Sequence, residues 1–125
     1  TMVANNRRAD IFVSIHHNSS VNSGLNGTTT YYYPKTVFDA LLAQSIQTAM
    51  VRGGGLDNIG VRTANFFVVK NTWMPAALLE IGFISNPQEE QTVSSAAFQQ
   101  KMAVAIVAGI DQFFAQAAKI RGGKR

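Results

Sequence analysis

The chain of 125 residues contains no cysteine, and charged residues make up 14% of it. Without cysteine there is no disulfide and no thiolate ligand, so any metal ion would be bound by histidine, carboxylate or water. No apolar run approaches the about 18 residues of a transmembrane helix, and we therefore expect no membrane-spanning segment. The opening residues TMVAN also lack the hydrophobic stretch that signal peptides contain.

The composition that is present is typical of a folded domain. Hydrophobic residues make up 46% of the chain, and the net charge is +4. Four of the eleven basic residues lie in the closing stretch AKIRGGKR. We predict a domain over residues 1–118 followed by a basic, flexible tail over residues 119–125. No structured segment interleaves basic and aromatic residues, so we predict no nucleic-acid partner.

The apolar pattern alternates between strand-like and helix-like segments. We predict strands over residues 11–15, 28–33, 65–70 and 74–82, and helices over residues 36–51, from residue 87 onward and over residues 96–118. This alternation predicts an α/β fold with a mostly parallel, twisted sheet flanked by helices, of a phosphorylase/hydrolase-like type. Residues 1–9 read as the last turns of a helix with no start signal, so we expect the amino-terminal part of the domain to be missing.

Two predicted strands end in a chemically active side chain. The run IFVSI is followed by His16, and the run AALL is followed by Glu80. We expect IFVSI to be a central strand buried on both faces. A carboxylate at the end of a buried strand costs several kcal/mol unless it is paired, bound to a metal or open to a cleft. Since ligands collect at the carboxyl ends of strands in α/β sheets, this pattern predicts a site there.

His16 and His17 are the two histidines of the chain. Consecutive strand residues point to opposite faces, so both cannot easily bind one metal ion. Their spacing leaves open which of them is a ligand, and a purely structural role for both also stays open. Asn18 lies beside them and either orients a ligand, contacts substrate or forms a turn. Phe66 and Phe67 are expected in the core.

Three segments resemble the zinc-dependent N-acetylmuramoyl-L-alanine amidases of the amidase-3 type. These are ANNRRADIFVSIHHNSS, GTTTYYYP and PAALLEIGFISNPQEE, and the resemblance extends from Ala4 to Phe114. The blocks SIH and EIGFISNP are its most diagnostic parts. The resemblance covers the carboxyl-terminal portion of the family's catalytic domain.

The resemblance implies a specific chemistry. It implies Zn²⁺ as cofactor, with His16 as a zinc ligand and Glu80 as the general base. The reaction implied is hydrolysis of the amide bond between the lactyl group of N-acetylmuramic acid and L-alanine in peptidoglycan. The other two zinc ligands would lie before Thr1, and Glu89 and Glu90 are better explained as helix-start residues. Arg62 would pair with a carboxylate of the stem peptide, against the alternative of a solvated surface arginine.

The resemblance also implies a setting for the protein. Peptidoglycan is the expected partner, an activator protein is a further one, and the protein is expected to be a monomer in the periplasm or the extracellular cell wall. Two other function classes stay open. One is a non-catalytic cell-wall binding or regulatory module of the same fold, or an inactive fragment. The other is a metal-dependent hydrolase that shares His16 and Glu80 but acts on a different amide.

Overall fold

The computed structural model describes residues 1–123 as a four-stranded sheet flanked by helices. In chain order the elements are α1 (Met2–Asn6), β1 (Phe12–Asn18), β2 (Thr28–Tyr32), α2 (Val37–Gly54), β3 (Asn58–Thr63), α3 (Phe67–Lys70), β4 (Ala76–Phe83), α4 (Pro87–Val93) and α5 (Ala96–Gly123). The strands lie in the order β1-β4-β2-β3. The pairs β1–β4 and β2–β3 are parallel, and β2–β4 is antiparallel. The predicted α/β class is confirmed, and the antiparallel pairing makes the sheet mixed.

The main core lies between one face of the sheet and the two long helices α2 and α5. Its buried side chains are Leu42, Ile46, Met50, Ala77, Leu79, Ile81, Val93, Phe98, Met102, Ala105, Ile106, Phe113 and Ala117. The two helices approach closely because residue 109 of α5 is glycine: a Cβ there would lie 2.8 Å from the Cα of Ile46. A smaller cluster on the opposite face packs Val69 of α3 against Ala76 and Leu78 of β4.

Helix α2 begins where it was predicted and runs to Gly54, three residues beyond the predicted end. Thr36 and Asp39 form a reciprocal capping box at its first turn, which satisfies backbone N–H groups that have no partner within the helix. Gly55 ends the helix in the left-handed conformation with φ 77°. Asn86 caps α4 by accepting hydrogen bonds from the N–H groups of Gln88 and Glu89.

The predicted third strand is wrong. Residues Phe67–Lys70 form the short helix α3, and the third strand is instead Asn58–Thr63, where the sequence pattern predicted no strand. A short apolar run does not distinguish a strand from a buried helical turn. Here Val69 alone of the run is fully buried, and Gly60 takes φ 101° within the real strand.

Among the four described strands β1 is an outer strand, whereas the sequence pattern predicted a central one. The central position next to it belongs to β4, which is buried along nearly its whole length. Ile15 of β1 is accordingly 58% exposed. The apolar run therefore predicted the strand correctly but not its position, because position depends on which strands pair.

Helix α5 ends at Gly123 and not near residue 118 as predicted. Residues 119–123 of the predicted tail are therefore helical, and Lys124 and Arg125 lie outside the described residues. By length and composition, Ala96–Gly122 could cross a membrane, with a mean hydropathy of 1.3. The buried stripe of α5 packs against α2 in the core, and the core helices of globular proteins pass the same test. The absence of a membrane-spanning segment thus stays a prediction.

Glu89 of α4 anchors the loop before β2 to the end of β4. Its Oε2 accepts a hydrogen bond from the N–H of Gly27 at 2.8 Å, and its Oε1 accepts one from the N–H of Phe83 at 2.7 Å. The residue is 7% exposed, so water does not readily replace these bonds. Glu89 therefore has a structural role, as the sequence suggested, but one that reaches beyond the start of its own helix.

Replacing this carboxylate tests its role. We expect Glu89→Ala to lower the free energy of unfolding by about 2–4 kcal/mol, because two buried N–H groups lose their acceptor. Glu90→Ala is the matched control, since Glu90 is exposed in the same helical turn. It should change stability by about 0.5 kcal/mol or less. Urea denaturation measures both variants, and equal losses would contradict the anchoring role of Glu89.

Candidate active site

The parallel pairing of β1 with β4 places His16 directly opposite Glu80. Side chains alternate between faces along a strand, so Glu80 and Leu78 share one face while Leu79 and Ile81 enter the main core. Glu80 is in register with Thr29 of β2 on its other side, and Thr29 is in register with Gly60 of β3. One row across the sheet is therefore His16, Glu80, Thr29 and Gly60.

The next row on the same face borders the candidate site. Ser14, Leu78, Tyr31 and Arg62 are in register across the four strands. The ring of Tyr31 meets the ring of Phe66 edge to face, with centroids 5.3 Å apart. By contrast, a Cβ built at Gly60 would meet no atom within 4 Å. The sheet face is therefore open above Gly60, in the same row as Glu80. We call this open area the shelf, and the Tyr31–Phe66 pair borders it.

Glu80 is the most perturbed acid of the described residues. Its Oε2 is buried and has no hydrogen-bond partner among residues 1–123. Burial raises the pKa of Glu80 above its usual value of 4.5, and the neighbouring His16 and His17 partly oppose the rise. An unpartnered, partly desolvated carboxylate is unfavourable for folding. Acid–base groups in active sites commonly have pKa values shifted in this way.

The two histidines have different surroundings. The Nε2 atom of His16 lies 2.7 Å from the hydroxyl oxygen of Ser14, two residues earlier on the same face of β1. The pairing of β1 with β4 is irregular between His16 and Asn18, where His17 lies. Both imidazoles are exposed. The in-register neighbour of Glu80 is His16, in agreement with the choice that the resemblance implies.

Asn18 and Arg62 are placed differently relative to this pair. The Oδ1 atom of Asn18, the last residue of β1, accepts a hydrogen bond from the N–H of the next residue, Ser19, at 2.9 Å. Arg62 is exposed in the row next to Glu80, on the same face, and pairs with no carboxylate among the described residues. A substrate contact by either residue stays a prediction.

The described residues do not by themselves form a metal site. Across residues 1–123 there is no group of three or more His, Cys, Asp or Glu side chains placed to bind one ion. His16 offers an exposed imidazole, and the buried, unpartnered Oε2 of Glu80 faces the same side of the sheet. These two residues fit one ligand and one neighbouring base of a zinc site, and they need further ligands from elsewhere.

Two neighbours of the His16–Glu80 pair were not predicted, and two aromatic residues lie elsewhere than predicted. Ser14 and Thr29 flank the His16–Glu80 pair; the spacing of two between Ser14 and His16 is the signal that would have indicated the first contact. Phe66 and Phe67 are 42% and 69% exposed, so the prediction that they lie in the core is wrong. Val69, two residues after Phe67, is the fully buried residue of this run, and Val68 packs against the same cluster.

Comparison with known proteins identifies the family. The model for N-acetylmuramoyl-L-alanine amidases of the Amidase_3 family matches residues 1–112. The chain belongs to this family. The probable cell wall amidase LytH of Staphylococcus epidermidis is 37% identical over 109 residues, which cover 87% of this chain and 37% of LytH. The sequence resemblance to the amidase-3 family is thus confirmed.

Solved amidase structures share the fold. The catalytic domain of the amidase CwlV from Bacillus (Paenibacillus) polymyxa is 40% identical with a TM-score of 0.86, covering 91% of this chain and 63% of that one. The CwlD amidase of Clostridioides difficile, solved in complex with the GerS lipoprotein, is 29% identical with a TM-score of 0.86. It covers 91% of this chain and 59% of CwlD. The chain thus spans less than two thirds of each of these relatives.

The raised pKa of Glu80 gives stability a defined pH dependence. The ionised carboxylate opposes folding, so the favourable contribution of Glu80 is present below pH 4.5 and is lost as pH rises through its raised pKa. We expect Glu80→Gln, which stays neutral, to unfold at higher denaturant concentration than the unmodified protein at neutral pH. The difference should disappear near pH 4.

Urea denaturation at the two pH values, in the presence of a metal chelator, measures this effect. Glu90→Gln is the control, because Glu90 is exposed and its substitution should not produce the same pH-dependent gain. A Glu80→Gln protein that is less stable than the unmodified one at neutral pH would contradict the assigned desolvation.

Proposed function

We propose that this protein is a zinc-dependent N-acetylmuramoyl-L-alanine amidase. It would hydrolyse the amide bond between the lactyl group of N-acetylmuramic acid and L-alanine of the peptidoglycan stem peptide. The observation that carries the proposal is the register of His16 with Glu80, whose Oε2 is buried without a partner on an open face of the sheet. Membership in the amidase-3 family supports the choice of substrate.

His16 is the zinc ligand of this chain in the proposal, and the remaining ligands come from outside these 125 residues. A zinc ion with three protein ligands and an open position lowers the pKa of water and polarises a carbonyl group. The relatives that share the fold are longer than this chain, which leaves room for the further ligands. His17 has no ligand role.

Glu80 carries the proton transfers. Its carboxylate accepts a proton from the attacking water and later delivers one to the leaving amine of L-alanine. The raised pKa brings the carboxylate closer to neutral pH, which favours both directions of transfer. The partners on either side, His16 and Thr29, hold the backbone of β4 in register and leave Oε2 free of competing hydrogen bonds.

The shelf beside Glu80 receives the substrate in this proposal. Gly60 has no side chain there. Thr29 is 1% exposed, and its hydroxyl donates a hydrogen bond to the carbonyl of Gly60 at 2.6 Å. Arg62, in the neighbouring row, pairs with a carboxylate of the stem peptide. Asn18 contacts the substrate or orients the ligand in this proposal.

The proposed setting is the cell wall or the periplasm, with peptidoglycan as partner and the protein acting as a monomer. The cell wall amidase LytH supports this location. A protein partner that acts as an activator is also proposed, and the solved complex of CwlD with a lipoprotein supports such a partner. The alternative is a non-catalytic cell-wall binding module, which would keep the fold but neither bind zinc nor cleave substrate.

Glu80→Gln tests the general base in the full-length protein. We expect kcat/KM on muropeptides to fall by about two orders of magnitude or more, because no group remains to accept the proton of water. Zinc content should be unchanged, since Glu80 is not a ligand. Glu90→Gln is the matched control and should keep full activity. Full activity in Glu80→Gln would remove the residue from this role.

The two neighbouring histidines test the ligand assignment. His16→Ala should lower the zinc content of the purified full-length protein, whereas His17→Ala should leave it near that of the unmodified protein. Metal analysis by mass spectrometry measures both. If His17→Ala is the variant that loses zinc, the assignment from the β1–β4 register is wrong; if the unmodified protein binds no zinc, the non-catalytic module is favoured.

A further inference from the structure

The imidazole of His16 has one structural contact that the proposed chemistry has not used. Its Nε2 lies 2.7 Å from the hydroxyl oxygen of Ser14. The two residues are separated by one position on strand β1, so both side chains lie on the open face of the sheet. The contact is local to one strand and depends on no loop.

The contact matters because it is the hydrogen bond that the His16 ring makes among the described residues. His16 lies on an outer strand of the four described strands, and its side chain is exposed there. An exposed imidazole samples several rotamers and either tautomer. A hydrogen bond to one ring nitrogen selects the orientation and leaves the other nitrogen free.

The neighbouring carboxylate does not provide this restraint. Metal-binding histidines usually donate their second ring N–H to a carboxylate, a backbone carbonyl or water. Glu80 is directly opposite His16, but its buried Oε2 makes no hydrogen bond among the described residues. With Ser14 holding the ring, Glu80 stays free to exchange protons with water.

We propose that Ser14 is a positioning residue for the zinc ligand. Its hydroxyl oxygen accepts a hydrogen bond from the Nε2–H group of His16, which fixes the tautomer and leaves Nδ1 as the atom that binds zinc. This inference rests on the proposed function, because it assumes that His16 is a ligand. It adds the residue that orients the ligand and the nitrogen that binds the ion.

Zinc affinity of Ser14 variants tests the inference in the full-length protein. Ser14→Ala should weaken zinc binding about 10–100-fold, the usual effect of removing such a partner. Ser14→Thr keeps a hydroxyl and suits a strand, so it should restore most of the affinity. Ser23→Ala is the matched control, since Ser23 is an exposed serine in the following loop. Competition with a chromophoric chelator measures all four proteins, and circular dichroism checks that each is folded.

A second test needs no substitution of Ser14. NMR of isotope-labelled imidazole nitrogens, in protein loaded with cadmium in place of zinc, identifies the nitrogen coupled to the metal. His16→Ala and His17→Ala assign the signals of the two histidines of this chain within the spectrum of the full-length protein. Coupling to Nδ1 is the expected result, and coupling to Nε2 would overturn the inference.

The outcomes separate this inference from the proposed function. If His16→Ala loses zinc while Ser14→Ala binds it with unchanged affinity, the positioning role of Ser14 is wrong and the zinc site stands. If Ser14→Thr binds as weakly as Ser14→Ala, the hydroxyl is not what matters, and the inference is also wrong. If His16→Ala leaves zinc binding unchanged, the proposed function itself fails.

Discussion

The parallel hydrogen bonding between β1 and β4 is the constraint on which the site depends. It sets Ser14 beside Leu78 and His16 beside Glu80, two residues further along each strand. A shift of the register by one residue would turn His16 and Glu80 toward different faces, because side chains alternate along a strand. The packing of Leu79 and Ile81 into the main core fixes that choice, since those side chains occupy the other face of β4.

Strand β4 thus contributes one face to the main core and the other face to the candidate site. Ala76 and Leu78 of β4 point away from the main core and pack against α3. Glu80 follows them on the same face, beside the shelf. Helix α3 is four residues long, so it covers the first part of this face and stops before the site. The carboxylate is desolvated by its neighbours without being paired by them, and this combination raises its pKa.

Other parts of the chain hold this arrangement in place. Glu89 binds the N–H groups at Gly27 and Phe83, which ties the start of β2 to the end of β4. Gln47 of α2 donates to the carbonyl of Thr28 and accepts from the hydroxyl of Thr30, so the other face of β2 is anchored to the helix layer. The row that contains Glu80 is therefore supported from two sides by buried polar contacts, which are costly to break.

The sequence by itself determined the class of fold, the starts of α2 and α4, and the choice of His16 and Glu80 as candidate site residues. Each of these depends on local pattern: alternation of strands and helices, a capping residue with its partner three positions on, and a polar residue after an apolar run. Only the tertiary structure decided that β1 is an outer one of the four described strands, that Phe67–Lys70 is helical, and that Ser14 contacts the His16 ring. These features depend on which strands pair and which faces are covered, and such contacts join residues far apart in the chain, where local pattern carries no information.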